Sequence, residues 1–351
     1  MRFFSFLLLC MLTSPAFAQV KGYPEGVEAV TYLSASDQTE QPALFEAPAD
    51  SEKPVPLLVA LHTWSGDYKQ AGSEAVYARW CQEMGWAFIH PNFRGRNDTP
   101  DALGSDLAVG DIISAVDYAK TQTRIDPSRI YCIGVSGGGH ASLLIAARAP
   151  EIWAGVSAWC GISDIAKWHQ ECTENKSFIR YAQHIEKVLG GAPGSSPEHA
   201  ASAKHRSPLT WLNAASAVNL DINHGVNDGR TSRPEDDFKG GSVPFTHSLE
   251  AWNTVVGEQD RISPKLLQAW FKTQQFPMSA REDDPLYGEQ GPLFRKVSGP
   301  TRITIFDGGH EIIHRAALNW LNAQRLGQPP VWEIEKAVTL ETEAGESESG
   351  K

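Results

Sequence analysis

Short apolar runs alternate with amphipathic helical stretches along the chain from about residue 55 onwards. Apolar runs bounded by turn-forming residues predict buried strands, and they occur at 57–61, 86–89, 129–135, 153–159, 218–223 and 301–306. Between them, helical spacing of apolar residues predicts helices over 71–84, 106–120, 141–149 and 312–325. Strands that alternate with helices predict an α/β fold with a mostly parallel central sheet and helices on both faces.

One stretch, residues 165–217, is longer than a simple crossover between two strands. It contains a helical segment at 177–189 and a turn rich in glycine, proline and serine at 190–197. We interpret it as a cap-like helical insertion after the sixth strand, within a single domain at 19–335. The glutamate-rich segment 336–351 predicts an acidic, disordered tail.

The N-terminus has the pattern of an export signal. Arg2 precedes an apolar stretch over 3–12, and an Ala-x-Ala pattern ends at Ala18. This predicts a secretory signal peptide that is cleaved after Ala18. The apolar stretch is too short to cross a bilayer comfortably, so we expect no membrane span in the mature chain and a secreted or periplasmic location.

Charge and cysteine content narrow the partners and the chemistry. With 31 Lys and Arg against 42 Asp and Glu, the net charge is −11, which argues against nucleic-acid binding. Disulfides persist in an oxidising compartment, and Cys160 and Cys172 are the better candidates for a bridge, although the sequence does not determine the pairing.

The strongest chemical signal lies between the strand at 129–135 and the following helix. Gly134 to Gly138 fits G-x-S-x-G, with Ser136 at its centre. A sharp strand-to-helix turn of this kind exposes a nucleophilic hydroxyl and aims the next amide at the reacting atom. The pattern also occurs by chance as a glycine-rich turn, so it needs support from other residues.

That support comes from an acid and a base in the appropriate order. Asp228 follows the strand at 218–223 in a His-Gly-x-x-Asp stretch, and His310 follows the strand at 301–306 after two glycines. Site residues of open α/β sheets collect at the strands' carboxyl ends. We therefore expect Ser136, Asp228 and His310 to form a nucleophile, acid and base set.

Two backbone amides are expected to stabilise the oxyanion. One is the amide of Gly137. The second should come from the loop after the strand at 57–61, where Trp64 is our choice and Thr63 the alternative. In the same loop, His62 is interpreted as a structural hydrogen-bonding residue.

These pieces resemble the α/β-hydrolase superfamily, most closely the catalytic domain of the prolyl-oligopeptidase family and its single-domain esterase relatives. The resemblance covers about residues 55 to 325. It is carried by Leu61-His62-Thr63-Trp64, Asn92-Phe93-Arg94-Gly95-Arg96, Gly134-Val135-Ser136-Gly137-Gly138, Ser207-Pro208, His224-Gly225-Val226-Asn227-Asp228 and Gly308-Gly309-His310. It implies an α/β-hydrolase fold with nucleophile Ser136, acid Asp228 and base His310, and it requires no metal and no organic cofactor.

The chain departs from the family in three places. His62-Thr63-Trp64 replaces the common His-Gly-Gly, and an extra charged segment, 234–239, follows the acid. The part before residue 55 is too short for the β-propeller of true prolyl oligopeptidases, so we expect no such domain. The resemblance therefore does not by itself imply peptidase activity.

A competing motif overlaps the base. Residues 310–314 read H-E-x-x-H, which binds zinc when it lies on a helix. Because two glycines and a strand come directly before His310, we expect His310 at a loop or at the helix start, and we prefer the serine mechanism. Our hypothesis is an exported serine hydrolase that cleaves a small carboxylic ester, with a carbohydrate ester as one candidate. The alternatives are a serine peptidase acting on short peptides, a zinc metalloprotease and a non-catalytic binding protein.

Overall fold

The computed structural model describes residues 19–49, 51–231 and 240–339, and within them nine strands form one sheet. The strands are β1 Glu28–Leu33, β2 Glu40–Glu46, β3 Val55–Leu61, β4 Ala87–Pro91, β5 Ile125–Val135, β6 Gly155–Trp159, β7 Leu220–Gly225, β8 Pro292–Ser298 and β9 Thr301–Phe306. Their order across the sheet is β1-β2-β4-β3-β5-β6-β7-β9-β8. The six strands from β4 to β9 in this order are parallel, and the pairs β1/β2, β2/β4 and β8/β9 are antiparallel.

Helices cover both faces of the sheet. They are α1 Ser73–Met84, α2 Asp106–Gln122, α3 Gly137–Arg148, α4 Ile165–Glu174, α5 Ile179–Leu189, α6 Pro197–His205, α7 Thr246–Val255, α8 Pro264–Thr273 and α9 His314–Ala323. Alternate residues of β3 enter different cores: Leu57 and Val59 pack in the cluster that includes α2 and α7 residues, whereas Leu58 and Ala60 pack with α1 and α9. A strand that is buried on both faces is continuously apolar, which explains the run in the sequence.

The parallel centre of the sheet agrees with the predicted pattern, but that pattern does not include the antiparallel strands on the two sides of the sheet. β1, β2 and β8 were missing from the prediction because their side chains are only partly buried. In β1, for example, exposed or half-exposed residues fill every position but one. A strand at a sheet edge has no continuous apolar run by which to recognise it.

The insertion after β6 is helical, as predicted, and consists of α4, α5 and α6. It has an apolar cluster of its own, which contains Trp168, Ile185 and Trp64. Polar contacts connect α4 to residues 242–250, which follow the Asp228 loop in the sequence. The indole of Trp168 donates to the carbonyl oxygen of Ser242 over 2.7 Å, and Lys167 forms an ion pair of 2.6 Å with Glu250.

Three sequence predictions concern residues outside the described ones: the signal peptide at 1–18, most of the acidic tail (340–351) and the charged segment at 234–239. They stay predictions. Within the described ranges, no helix has the length and apolar character needed to cross a membrane.

The suggested bridge between Cys160 and Cys172 is not formed. Both cysteines are buried free thiols. Cys172 belongs to the apolar cluster of the insertion, whereas the Cys160 sulfur faces the carbonyl oxygen of Glu311 at 3.4 Å. The two thiols therefore belong to different environments.

Candidate active site

Ser136 stands on a sharp turn between β5 and α3. Its backbone has φ +62° and ψ −120°, a region that L-residues rarely occupy and that stores strain when they do. Its amide donates to the carbonyl oxygen of Trp159 over 2.9 Å. The turn is tight enough that a Cβ on Gly134 would lie 2.4 Å from the carbonyl oxygen of Gly138. The G-x-S-x-G glycines are therefore required sterically, and the turn leaves Ser136 half-buried.

Asp228 and His310 form a direct hydrogen bond at the same edge of the sheet. Nδ1 of His310 donates to Oδ2 of Asp228 over 2.5 Å. Asp228 is fully buried, and its other oxygen accepts from the amides of Gly229 (2.8 Å) and Val243 (3.1 Å). These contacts hold the carboxylate in one orientation towards the imidazole.

His224 is a further partner of Asp228 that the sequence analysis did not assign. Its Nε2 lies 2.9 Å from Asp228 Oδ2, and the Ser248 hydroxyl donates to its Nδ1 over 2.7 Å. The signal for it in the sequence is the His-Gly-x-x-Asp stretch, in which His224 precedes the acid by four residues.

The electrostatics of the pair favour an ionised acid. Burial alone would raise the pKa of Asp228, but the charge of His310 and hydrogen bonds from His224 and His310 outweigh it and hold that pKa well below its usual range. Burial alone would lower the pKa of His310, yet the neighbouring Asp228 carboxylate raises it well above the ordinary value of 6.5. A carboxylate in this position orients an imidazole and stabilises the imidazolium that forms when a proton is accepted.

The loop after β3 lies against the serine turn. A Cβ on Gly137 would come within 2.4 Å of the Trp64 amide nitrogen, so these two backbone segments touch. The Thr63 amide is already engaged, because it donates to Oε1 of Gln70 over 3.3 Å. The geometry therefore favours Trp64 over Thr63 as the second amide beside Ser136, and this assignment stays a prediction.

Hydrogen-bonded polar side chains connect that loop to a buried acid on α1. Oε1 of Gln70 also accepts the Thr63 hydroxyl over 2.7 Å, and Nε2 of Gln70 donates to Glu74 over 2.7 Å. Glu74 lies on α1 and is fully buried. Burial raises its pKa to about 7. No sequence motif predicts these hydrogen bonds, because they join common residues of a loop and a helix.

His62 is structural, as expected. Its ring nitrogens contact the carbonyl oxygens of Thr63 and Asn92 at 2.9 Å and 3.0 Å, and its ring stacks on Phe93 with centroids 3.9 Å apart. Arg94 belongs to the 92–96 stretch that also carries the family resemblance, and it forms ion pairs with Asp37 and Asp111. The conspicuous residues of this region thus fix the loop rather than face a ligand.

The side chain of Trp64 joins the loop to the insertion. Its indole N–H donates to Nδ1 of His184 on α5 over 3.2 Å, and its ring meets the ring of Trp168 edge-on with centroids 4.6 Å apart. Trp211, by contrast, lies under the guanidinium of Arg148.

The H-E-x-x-H residues do not adopt the zinc-binding arrangement. Helix α9 begins at His314, so His310 and Glu311 precede it and the two histidines do not share a helical face. Glu311 accepts from the amide of Gly309 over 3.0 Å, and His314 packs edge-on against Tyr77. Among the described residues, the group that could hold a metal ion is Cys160, Asp228 and His310, which excludes His314.

Parts of the chain are similar to known hydrolases. Residues 75–234 match the model of the prolyl oligopeptidase family. Acetylxylan esterase A of Emericella nidulans is 25% identical over 161 residues, which are 40% of this chain and 53% of the esterase. Dipeptidyl aminopeptidase BIII of Pseudoxanthomonas mexicana is 26% identical over 219 residues, which are 57% of this chain and 30% of the peptidase. The chain thus spans about half or less of the length of these relatives.

A solved structure establishes the fold. The acylaminoacyl peptidase of Pyrococcus horikoshii superposes with a TM-score of 0.58 at 15% identity, over 88% of this chain and 43% of the peptidase. The chain has an α/β-hydrolase fold. Part of it is similar to the prolyl oligopeptidase family, and Ser136 on its strained turn and the hydrogen-bonded pair of Asp228 and His310 are its candidate catalytic residues.

Proposed function

We propose that this α/β-hydrolase is an exported serine hydrolase that cleaves small carboxylic esters through Ser136, Asp228 and His310. The observation that carries the proposal is the 2.5 Å hydrogen bond between Asp228 and His310, at the sheet edge where Ser136 follows β5. Each of the three residues stands just past the carboxyl end of a parallel strand, which supports the roles that the mechanism needs.

The reaction begins when Nε2 of His310 accepts the Ser136 hydroxyl proton as Oγ attacks the ester carbonyl carbon. Asp228 keeps the other imidazole proton on Nδ1 and stabilises the positive charge. The negative charge on the carbonyl oxygen is stabilised by the amides of Gly137 and Trp64, each worth about 2.7–4 kcal/mol in such a site. The tetrahedral intermediate then collapses to an acyl-enzyme, and His310 gives its proton to the departing alcohol.

Release of the acyl group repeats these steps with water. His310 takes a proton from water as the water oxygen attacks the acyl carbon, and it returns this proton to Ser136 when the acid leaves. The amides hold the same oxygen in both halves of the reaction, so loss of one amide should slow both halves.

The preference for esters rests on two observations. The relative that is named an acetylxylan esterase is matched over about half its length, whereas the match with the aminopeptidase covers 30% of that protein. Residues 28–46, which precede β3, form the sheet strands β1 and β2 rather than a separate domain. A carbohydrate ester is the specific substrate class that we propose first.

A serine peptidase for short peptides is the second candidate, because the family model and the P. horikoshii structure both belong to peptidases. A substrate panel separates the two: aryl acetates, an acetylated xylo-oligosaccharide, a feruloyl ester and aminoacyl-prolyl anilides, each with wild type and Ser136→Ala. We expect ester cleavage that depends on Ser136. Faster cleavage of the anilides would favour the peptidase.

Export after cleavage at Ala18 completes the proposal. Expression of the full chain in a secreting host should yield a mature protein that begins at Gln19. Recovery of an unprocessed chain that still begins at Met1 would contradict the export assignment.

A further inference from the structure

The thiol of Cys160 lies inside the site, although the proposed reaction does not use it. Cys160 directly follows β6, is fully buried and has a backbone φ of +48°. Its sulfur lies 3.4 Å from the carbonyl oxygen of Glu311 and 3.8 Å from that of Gly309. The thiol therefore points at the loop that carries His310, from the strand between those of Ser136 and Asp228.

Three different metal-ligating groups converge at this point. Sγ of Cys160, a carboxylate oxygen of Asp228 and an imidazole nitrogen of His310 all lie within 4.8 Å of one another. Thiolate, imidazole and carboxylate are the ligands of protein zinc sites. Bond lengths of about 2.0–2.3 Å around a tetrahedral ion place its ligand atoms about 3.3–3.8 Å apart. The sulfur must therefore move inward by up to about 1.5 Å, and the Asp228–His310 pair must open from 2.5 Å.

The charges around the cluster suit a cation. Among the described residues, the partners of Asp228 are the imidazoles of His224 and His310 and the amides of Gly229 and Val243, with no lysine or arginine. Within the described ranges, the side chains that face this carboxylate are therefore the two imidazoles, each of which can also bind a metal ion. The side chain of His310 is 23% exposed, which provides an approach for an ion from the substrate side.

We propose that Cys160, Asp228 and His310 form an inhibitory site for a soft divalent cation such as Zn²⁺. The inhibition rests on the proposed function, whereas the binding does not. The ion binds Sγ of Cys160, Nδ1 of His310 and Oδ2 of Asp228, and water completes the coordination. The thiol proton leaves to solvent. The imidazole loses its Nδ1 proton to solvent and takes one from solvent on Nε2, so it stays neutral and cannot accept the proton of Ser136.

The chemistry of the donors predicts a selectivity. A site with one thiolate and one imidazole prefers zinc and cadmium, whereas magnesium and calcium bind through oxygen ligands. Removal of the sulfur should weaken zinc binding at least about tenfold, the lower end of the loss seen when even an outer-shell partner of a metal ligand is removed.

The test compares wild type, Cys160→Ser and the matched control Cys172→Ser, a second buried thiol that lies in the insertion. The labelling rate of Ser136 by a fluorophosphonate is measured against buffered free Zn²⁺, relative to the zinc-free rate of the same variant. We expect zinc to slow labelling of wild type and Cys172→Ser, a chelator to restore it, and Cys160→Ser to need at least about tenfold more zinc. Magnesium should have no effect.

A direct measurement of binding uses cadmium, whose bond to a thiolate absorbs in the near ultraviolet. We expect this absorption in wild type and Cys172→Ser and its loss in Cys160→Ser. Equal zinc sensitivity of Cys160→Ser, or no cadmium–thiolate absorption in wild type, would overturn the proposal. If Cys160→Ser does not fold, the presence or absence of cadmium–thiolate absorption in wild type tests the metal site. Wild type that resists labelling without metal would refute the serine hydrolase assignment, while the cadmium measurement still tests the metal site.

Discussion

The indole N–H of Trp64 donates to Nδ1 of His184 over 3.2 Å. Through this contact, the loop beside Ser136 is joined to the second helix of the insertion. The amide of the same tryptophan lies against Gly137, so the insertion acts on the proposed oxyanion site through one residue. We therefore expect the insertion to help position the Trp64 amide beside Ser136.

Substitution of His184 tests this link. In His184→Leu the indole N–H loses its acceptor, which is worth about 1 kcal/mol, and the Trp64 amide is held less firmly. We expect kcat for an aryl ester to fall about fivefold with a smaller change in KM. His184→Gln, which can still accept a hydrogen bond, should recover part of the loss. His199→Leu, on α6, is the matched control, and an equal effect there would refute a specific link.

Gln70 is expected to support the oxyanion loop from the other side. Gln70→Leu removes the acceptor of both the Thr63 amide and the Thr63 hydroxyl, so these two half-buried groups each lose a hydrogen bond worth about 1 kcal/mol. We predict a fall in kcat of about tenfold or more, larger than the change in KM. Gln82→Leu on α1 removes a similar side chain far from the loop. A change in KM alone would show that Gln70 does not act on the transition state.

Much of the site was predictable because each of its motifs lies in a recognisable local context. Ser136, Asp228 and His310 each follow an apolar strand, and parallel strands bring their carboxyl ends to one edge. Gln70, His184 and Cys160 had no such context. Their importance comes from contacts between elements far apart in the sequence, and no spacing rule indicates that Gln70 reaches Thr63 or that the thiol of Cys160 faces the His310 loop.

The same distinction explains the fold. The central strands can be recognised in the sequence because a strand that is buried on both faces has continuous apolar residues, as in β3. In the edge strands β1 and β8, most side chains are exposed or half-buried, so neither strand has a continuous apolar run. The H-E-x-x-H sequence shows that a motif alone does not make a site. Its residues match the zinc-binding pattern, but His310 and Glu311 lie before helix α9 rather than on it.

The pH dependence of turnover should reflect His310. The base must be neutral to accept the proton of Ser136, and the Asp228 carboxylate raises its pKa well above 6.5. We therefore predict that kcat/KM increases with pH through an acid limb whose midpoint lies above 6.5. Asp228→Asn should lower kcat by a factor on the order of 10⁴ because the imidazole tautomer is disturbed. An acid limb well below 6.5 would contradict the pairing.

Glu74 should make stability depend on pH. Burial raises its pKa from 4.5 to about 7, so between these values the folded chain keeps a proton that the unfolded chain loses. The stabilisation is complete below pH 4.5 and is lost as the pH rises through about 7.

Glu74→Gln removes this titration. We expect its free energy of unfolding, measured by urea titration at pH 5 and pH 8, to fall less with pH than that of wild type, by up to about 3 kcal/mol. Glu83→Gln, at an exposed position of the same helix, is the matched control. An unchanged pH dependence in Glu74→Gln would show that the buried acid is not protonated at pH 5.

The central claim is that Ser136 is an activated nucleophile, and covalent labelling tests it most directly. The purified mature protein is treated with a fluorophosphonate, and the adduct is located by intact mass and peptide mapping, with Ser136→Ala and Asp228→Asn as comparisons. The account predicts a single adduct on Ser136 in wild type, none in Ser136→Ala, and labelling slowed on the order of 10⁴ in Asp228→Asn. A folded wild-type protein that forms no adduct, or an adduct on another residue, would contradict it.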